Sequence, residues 1–156
     1  MGIQVANLGQ ALIPLMAAGP TTLPYGPTTS AALVPAFVAP CNGRLAYAEI
    51  VVAVAAAAGD STDLKETVKF EKRGVAGATG PTAISTEVAV ADVNLAPDYL
   101  PAAGTVLKIP GLTGNHCVAG ELLNMYWTET GTKGTGTRAT FNVVKVVFEA
   151  DAFIGN

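Results

Sequence analysis

The sequence predicts an all-β fold: a two-sheet antiparallel sandwich, jelly-roll-like, that carries an extended proline-rich N-terminal arm. Three observations point there. Half of the 156 residues are apolar and only 13% are charged, enough to fill a sizeable core and too little charge for a disordered chain. Ala and Val supply most of the apolar material, while aromatics make up 6%; β-branched side chains suit pleated sheets and small ones let sheets pack closely. Finally, 17 Gly and 10 Pro punctuate short alternating runs from about residue 31 onward, with no convincing amphipathic helix among them. The length is that of one domain.

The arm comes first. Residues 1–43 contain no Asp, Glu, Lys or Arg, and they hold Pro14, Pro20, Pro24, Pro27, Pro35 and Pro40. Proline removes a backbone donor and fixes φ, which excludes a continuous helix or a central strand. An uncharged, apolar run such as residues 11–18 makes a poor solvent-exposed tail, because disordered tails are typically polar and charged. The segment is therefore expected to lie on protein, either its own sandwich or a neighbour's. The expected division is an arm over residues 1–30 and a sandwich over 31–156. Leu12, Ile13, Leu15, Leu23 and Tyr25 are the expected contact residues of an assembly interface.

The strands follow in order. Residues 33–39 read as an edge strand because they contain Pro35. Residues 44–55 read as a long strand, with Leu45, Tyr47 and Val51 on one face and Ala46, Ala48, Ile50, Val52 and Val54 on the other. Both faces are apolar, so this strand is expected to be central or covered on both sides. Gly59 to Asp63 is a turn with Asx chemistry. Residues 64–72 alternate except at Glu66, with Leu64, Val68 and Phe70 inward and Lys65, Thr67, Lys69 and Glu71 outward.

Residues 74–81 form a glycine-rich loop, and 83–91 alternate again on Ile84, Val88 and Val90. Residues 94–101 are irregular around Pro97 and Pro101, and 104–109 make a short strand closed by Pro110 and Gly111. In 121–130, Leu123, Met125 and Trp127 share one face, opposite Leu122 and Tyr126. The last strand, 137–149, sets Phe141, Val143 and Val147 against Val144, Val146 and Phe148. Seven or eight strands with long connections after residues 72 and 91 suit a sandwich with cross-sheet links better than a meander.

The chemistry of catalysis is sparse. His116 is the sole histidine, and Ser30, Ser61 and Ser85 lie in no nucleophile elbow. His116 and Cys117 are adjacent, so in a strand they point to opposite faces. Two Cys and one His cannot complete a zinc site without carboxylates. Asp60 and Asp63 lack the ligand series of a calcium loop and read as turn caps. Residues 131–138 resemble a phosphate cradle superficially, but Thr137, not Lys, follows Gly136. A hairpin tip fits better. Residues 74–82 make three collagen-like triplets, too few for a triple helix. Cys41 and Cys117 are no disulfide framework; reduced thiols or a single bridge both remain open. No enzyme activity and no cofactor is expected.

A formal charge of −3 with pI near 5.0 opposes strong attraction to phosphate backbones, so no nucleic-acid partner is expected. The cluster Lys65, Lys69, Lys72 and Arg73 is interrupted by Glu66 and Glu71 and reads as a solvated strand face. The most apolar run, residues 45–58, contains Glu49 and is shorter than the roughly 20 residues that span a bilayer. The first basic residue is Arg44, so no export signal is expected and folding in the cytosol follows.

The run from Phe37 to Leu45, an apolar edge strand, a Pro-x-x-Gly turn and the start of a long strand, is followed by Ala102 to Ile109, which enters a strand through a glycine turn. The chain then ends in the Val-rich run 141–148. Together with the Ala/Gly/Thr/Val-rich texture and the proline-rich arm, these resemble the small β-sandwich decoration, or cement, proteins on the heads of tailed bacteriophages. The resemblance spans residues 30–150 and is one of order and texture. It implies a virion protein on the capsid surface, a homotrimer bound to the major capsid protein, with the arm clamping adjacent subunits. The P-x-x-G and A-G-x-V fragments also occur in lipoyl and biotinyl domains, but no comparable modified lysine is present and the separation is too long. Competing readings are another virion coat component, a fibre-type module, or a carbohydrate-binding module. The last requires an exposed Trp127 or Tyr126, whereas the coat reading buries Trp127.

Overall fold

The computed structural model describes residues 12–15, 31–75, 80–95, 97–132 and 134–151, with the backbone alone for 12–15, 31–36 and 144. Among the described residues there are nine strands: β1 Leu12–Leu15, β2 Ala31–Val38, β3 Gly43–Val54, β4 Lys65–Val75, β5 Thr82–Ala83, β6 Val88–Asp92, β7 Val106–Pro110, β8 Glu121–Thr130 and β9 Thr140–Ala150. They form two antiparallel sheets packed as a sandwich. The first has the order β1-β9-β3-β7; the second runs β2-β8-β4-β5, with β6 also paired to β4.

The inner faces meet in one apolar layer. Trp127, Phe70, Phe141 and Phe148 are the largest side chains in it, filled out by Leu45, Ile50, Ile84, Ile109, Leu123 and Met125. Small residues, among them Ala48, Ala91 and Ala139, are fully buried between them and let the sheets close around few rings. In β8 the alternation read from sequence is the one observed: Leu123, Met125 and Trp127 face the core. Pro35 sits in β2, which is the edge of its sheet. There its missing donor leaves no central ladder bond unmade.

Elsewhere the faces differ from the expectation, and bulges are the reason. Leu45 pairs with Phe148 and Tyr47 with Val147, so Ala46 is an extra residue in β3. Glu49 pairs with Lys145 and Ile50 with Val143, which makes Val144 the extra residue in β9. Each insertion moves the following residues to the other face of the sheet. Leu45 therefore shares the core with Ala48, Ile50 and Val52, and Phe141 shares it with Val146 and Phe148. The expected grouping of Leu45 with Tyr47 and Val51, and the separation of Phe141 from Phe148, are both corrected by these slips. β3 is central, between β9 and β7. Its outer face, with Tyr47, Glu49 and Val51 half-buried, is not sealed as the inner one is.

Residues 83–91 form two short pieces, β5 and β6, instead of one strand. The break falls at Ser85, whose Oγ accepts the Phe70 N–H at 2.7 Å and donates to the Thr86 carbonyl at 2.8 Å. A side chain there replaces a ladder bond. Next to it the two sheets are stitched together: Leu112 N–H donates to the Ile84 carbonyl at 2.8 Å, and Thr86 N–H to the Pro110 carbonyl at 2.9 Å. Gly111, at the centre of this stitch, donates its N–H to the Ala46 carbonyl at 2.9 Å. A Cβ on Gly111 would fall 1.7 Å from the Leu45 carbonyl oxygen, and backbone cannot swing aside as a side chain can.

Substituting Gly111→Ala should therefore lower stability by about 3 kcal/mol, the upper end of ordinary overpacking costs, read from the urea midpoint. Gly114→Ala, where a Cβ meets nothing within 4 Å, should stay within about 0.5 kcal/mol of wild type. Equal midpoints for the two variants would remove the stitch from this account.

Candidate functional site

The residues expected to carry an assembly interface are placed only in part. Leu12, Ile13 and Leu15 lie in β1, whose backbone pairs with β9 opposite Glu149, Phe148 and Val146. Leu23 and Tyr25, with the rest of residues 16–30, lie outside the described residues. Where it is described, the N-terminal segment thus forms an edge strand of the first sheet.

The basic cluster on β4 divides between two faces and is largely matched by carboxylates. Lys65 meets Asp92 at 3.3 Å and Lys69 meets Glu71 at 3.0 Å on the outer face of the second sheet, where Lys69 also lies 5.2 Å from the Tyr126 ring. Thr67 is shielded there and shares a 2.7 Å hydrogen bond with Thr128. Lys72 faces the other way, toward Glu121 at 3.3 Å, and donates to the His116 carbonyl. On the outer face of the first sheet, Tyr47 lies between Lys108 at 4.1 Å and Lys145 at 5.2 Å. Beside it runs an open groove of about 320 Å³ whose two charges, Arg44 and Glu149, are bonded to each other. Satisfied charges leave little for a ligand to complete.

At one end of the sandwich two turns read separately from sequence come together. Asp60 Oδ1 accepts the Thr135 N–H at 2.5 Å and its hydroxyl at 2.9 Å, while Asp63 Oδ1 accepts the Thr132 N–H at 2.9 Å. Asp60 and Asp63, expected as caps of their own turn, thus serve a distant hairpin, while Ser61 Oγ accepts the loop amides of Asp63 at 3.4 Å and Leu64 at 2.9 Å. Gly134 has φ +57, and a Cβ there would sit 2.1 Å from Asp60 Oδ1. The two Thr135 donors hold the Asp60 carboxyl below its ordinary value of 3.8, since a carboxylate that accepts hydrogen bonds is favoured in its charged form.

Just inside this end lies Glu66, fully buried. Its neighbours in register include Glu129, directly opposite on β8, and Ala91 on β6. Both carboxylate oxygens face the Ala139 N–H, at 3.1 and 3.4 Å. The Trp127 indole N–H lies near enough to favour the ionised carboxylate, but it completes no hydrogen bond of ordinary geometry. Arg138 forks onto Glu129, Nε to Oε2 at 2.6 Å and Nη2 to Oε1 at 2.9 Å, and lies 6.0 Å from the Trp127 ring. Burial pushes the Glu66 carboxyl up to about 7; the Ala139 and Trp127 donors and Arg138 pull it down, and Glu129 adds to the rise. The sequence did carry a signal for this site: Glu66 occupies an inward position of an otherwise regular alternation. Nothing local marked Arg138 or Glu129 as its neighbours.

The remaining candidates for chemistry are spread apart. Burial pushes the Cys117 thiol up to about 11, so it is protonated and unreactive at neutral pH; Cys41 is half-buried and likewise free. His116 is exposed in the connection before β8, where Nδ1 lies 3.2 Å from Asp151, while its neighbour Cys117 is buried. Ser85 is occupied by the two backbone bonds already described. Among the described residues no three of His, Cys, Asp and Glu are grouped to hold a metal ion, and no helix is long and apolar enough to cross a membrane.

Comparison with protein-family models, curated proteins and solved structures found no match for this chain.

The Asp60 contact has a defined pH response. A carboxyl held below its ordinary value contributes in full above about 3.8, and the contribution is lost as pH falls through the lower folded value. Protection of the Thr135 amide from hydrogen exchange, corrected for intrinsic rates, should fall on acidification through that range. In Asp60→Asn, which keeps an acceptor oxygen without the charge, it should not change with pH. The same acid response in both proteins would release Asp60 from this role.

Proposed function

We propose that this chain is a structural subunit of a virion, a small jelly-roll protein that binds the outside of a tailed-phage head and stabilises the capsid lattice. The observation that carries the reading is the strand order. With β5 and β6 taken as one interrupted strand, eight positions alternate between the orders 1-9-3-7 and 2-8-4-5/6. Every connection passes from one sheet to the other except the one leaving β4, which stays in its own sheet. That winding supports a double-sheet jelly roll, an arrangement used by viral capsid, lectin and cupin domains.

Two further facts favour the coat over the lectin. Trp127 is fully buried under the core face of β8, so it cannot stack on a sugar. Tyr126, on the outer face, is half-buried and covered by Lys69. In addition, the first 43 residues carry no Asp, Glu, Lys or Arg. A segment of that kind laid on neighbouring subunits could add an interface of roughly 1,200–2,000 Å². Binding only the assembled state stabilises it by mass action, and a homotrimer multiplies the gain through avidity.

In this reading the partners are the major capsid protein and further copies of the chain, with no contact to nucleic acid or membrane. The protein is made in the host cytoplasm and resides on the capsid surface. Leu12, Ile13, Leu15, Leu23 and Tyr25 are the proposed contact residues. β1 supplies backbone bonds to β9, so deleting residues 1–30 would strip an edge strand along with any interface.

Leu23→Asp combined with Tyr25→Asp is the cleaner variant. Analytical ultracentrifugation should show a trimer for the full chain and a monomer with unchanged far-UV circular dichroism for the double variant. Binding to phage heads stripped of surface proteins should weaken in parallel. A full chain that stays monomeric at working concentration and leaves such heads bare would overturn the proposal.

A further inference from the structure

Around Glu66 the sandwich holds two carboxylates for one cation. Glu129 and Glu66 stand directly opposite each other on β8 and β4, and Arg138 spends both arms of its fork on Glu129. Among the described residues Glu66 has no counter-ion of its own and reaches only the Ala139 N–H and the vicinity of the Trp127 indole. Among the described residues, the other elements around it set no free charge against it. β6 sets Ala91 opposite Glu66, while Asp92 is engaged by Lys65. The segment bridged to residue 137 contributes Ala57. Among the described residues, Glu129 and Arg138 are the charged groups that bear on Glu66.

We infer that Glu66 is a proton-controlled clasp between the two sheets, closed on the approach to β9 at residues 137–139 when neutral and loosened when ionised. The geometry gives the mechanism. A neutral carboxyl accepts the Ala139 N–H and sits opposite Glu129 without repulsion. An ionised one places a second negative charge in a dry site, where an unpaired charge is strongly disfavoured. Two ways out exist: Arg138 leaves Glu129 to share itself, or residues 137–139 lift and admit water. Either one loosens the same few residues, because Arg138 and Ala139 are consecutive.

The sign follows from the two environments. Closed, Glu66 keeps its proton up to about 7; open to water it releases it near the ordinary value of 4.5. Between these limits the closed form binds more protons, so raising the pH through that window favours the open form. Above it both forms are ionised and the preference stops changing.

The test is carboxyl and amide NMR on the full chain between about pH 5 and pH 8.5. The Glu66 side-chain carboxyl should titrate with a midpoint near 7, and protection of the Ala139 amide should fall by roughly 10²-fold across the same range. Glu66→Gln, which keeps an acceptor for Ala139, should abolish that fall. Glu129→Gln should lower the Glu66 midpoint, because it removes the opposing charge and frees Arg138. A Glu66 midpoint near 4.5 would overturn the inference. So would an Ala139 protection profile that is the same in wild type and Glu66→Gln. If Glu66→Gln does not fold, the wild-type midpoint and its response to Glu129→Gln decide the matter.

Discussion

The structure depends on one apolar contact layer: the seam where β4 and β8 of one sheet face β3 and β9 of the other. Each large side chain withdrawn from water there contributes about 1.5–3 kcal/mol, and four aromatic rings anchor the layer. The alanines buried beside them explain the composition. A core with few rings closes to normal density only if the residues opposite are small, since a void forfeits contacts on one side. The polar arrangements at the ends of the sandwich hold because this seam fixes the distance between the sheets.

The same seam dictates the topology. Strands that touch are far apart in sequence: Gly43 pairs with Ala150, and Lys65 with Thr130. Central strands β3, β4, β8 and β9 are long, whereas β5, β6 and β7 have two to five residues. Short outer strands leave little unpaired backbone at those edges, one of the ways sheets avoid pairing with strangers. Such non-local pairing also requires long loops to close before the core rewards them. For a protein proposed to act at a lattice surface, the edge and the arm are the parts that decide what it joins.

Much of the fold was legible in the sequence, and the exceptions have physical causes. β8 was readable because its alternation runs without a slip and ends on a tryptophan. β3 and β9 were read as strands, but their faces were not, since a single extra residue at Ala46 or Val144 inverts everything beyond it and leaves no local trace. The break between β5 and β6 was hidden because Ser85 uses a side chain to do what backbone does elsewhere. The meeting of the 59–63 turn with the 131–136 turn was invisible for a different reason: each is an ordinary turn alone, and only the packed sheets bring them together. Glu66 was half visible. Its position broke a pattern, while the residues that give the break its chemistry lie more than sixty positions further on.

Asp60 and Glu66 are six residues apart and respond to protons in opposite directions for opposite reasons. Asp60 is exposed and satisfied by donors, so its charge is an asset that acid removes. Glu66 is dry and stands beside a carboxylate that already holds the one cation, so its charge is a liability that a proton relieves. Both act on the same short stretch, through Thr135 and Ala139. This end of the sandwich is therefore held by both carboxyls only at weakly acidic pH, above the range where Asp60 lets go and below the range where Glu66 does. The apolar seam has no such dependence in this range, because the thiol it contains, Cys117, keeps its proton up to about 11. A rigid layer with a conditional end is what two neighbouring carboxyls in unlike surroundings produce, and it is confined to the β8–β9 connection because the cation that would have balanced Glu66 is already committed to Glu129.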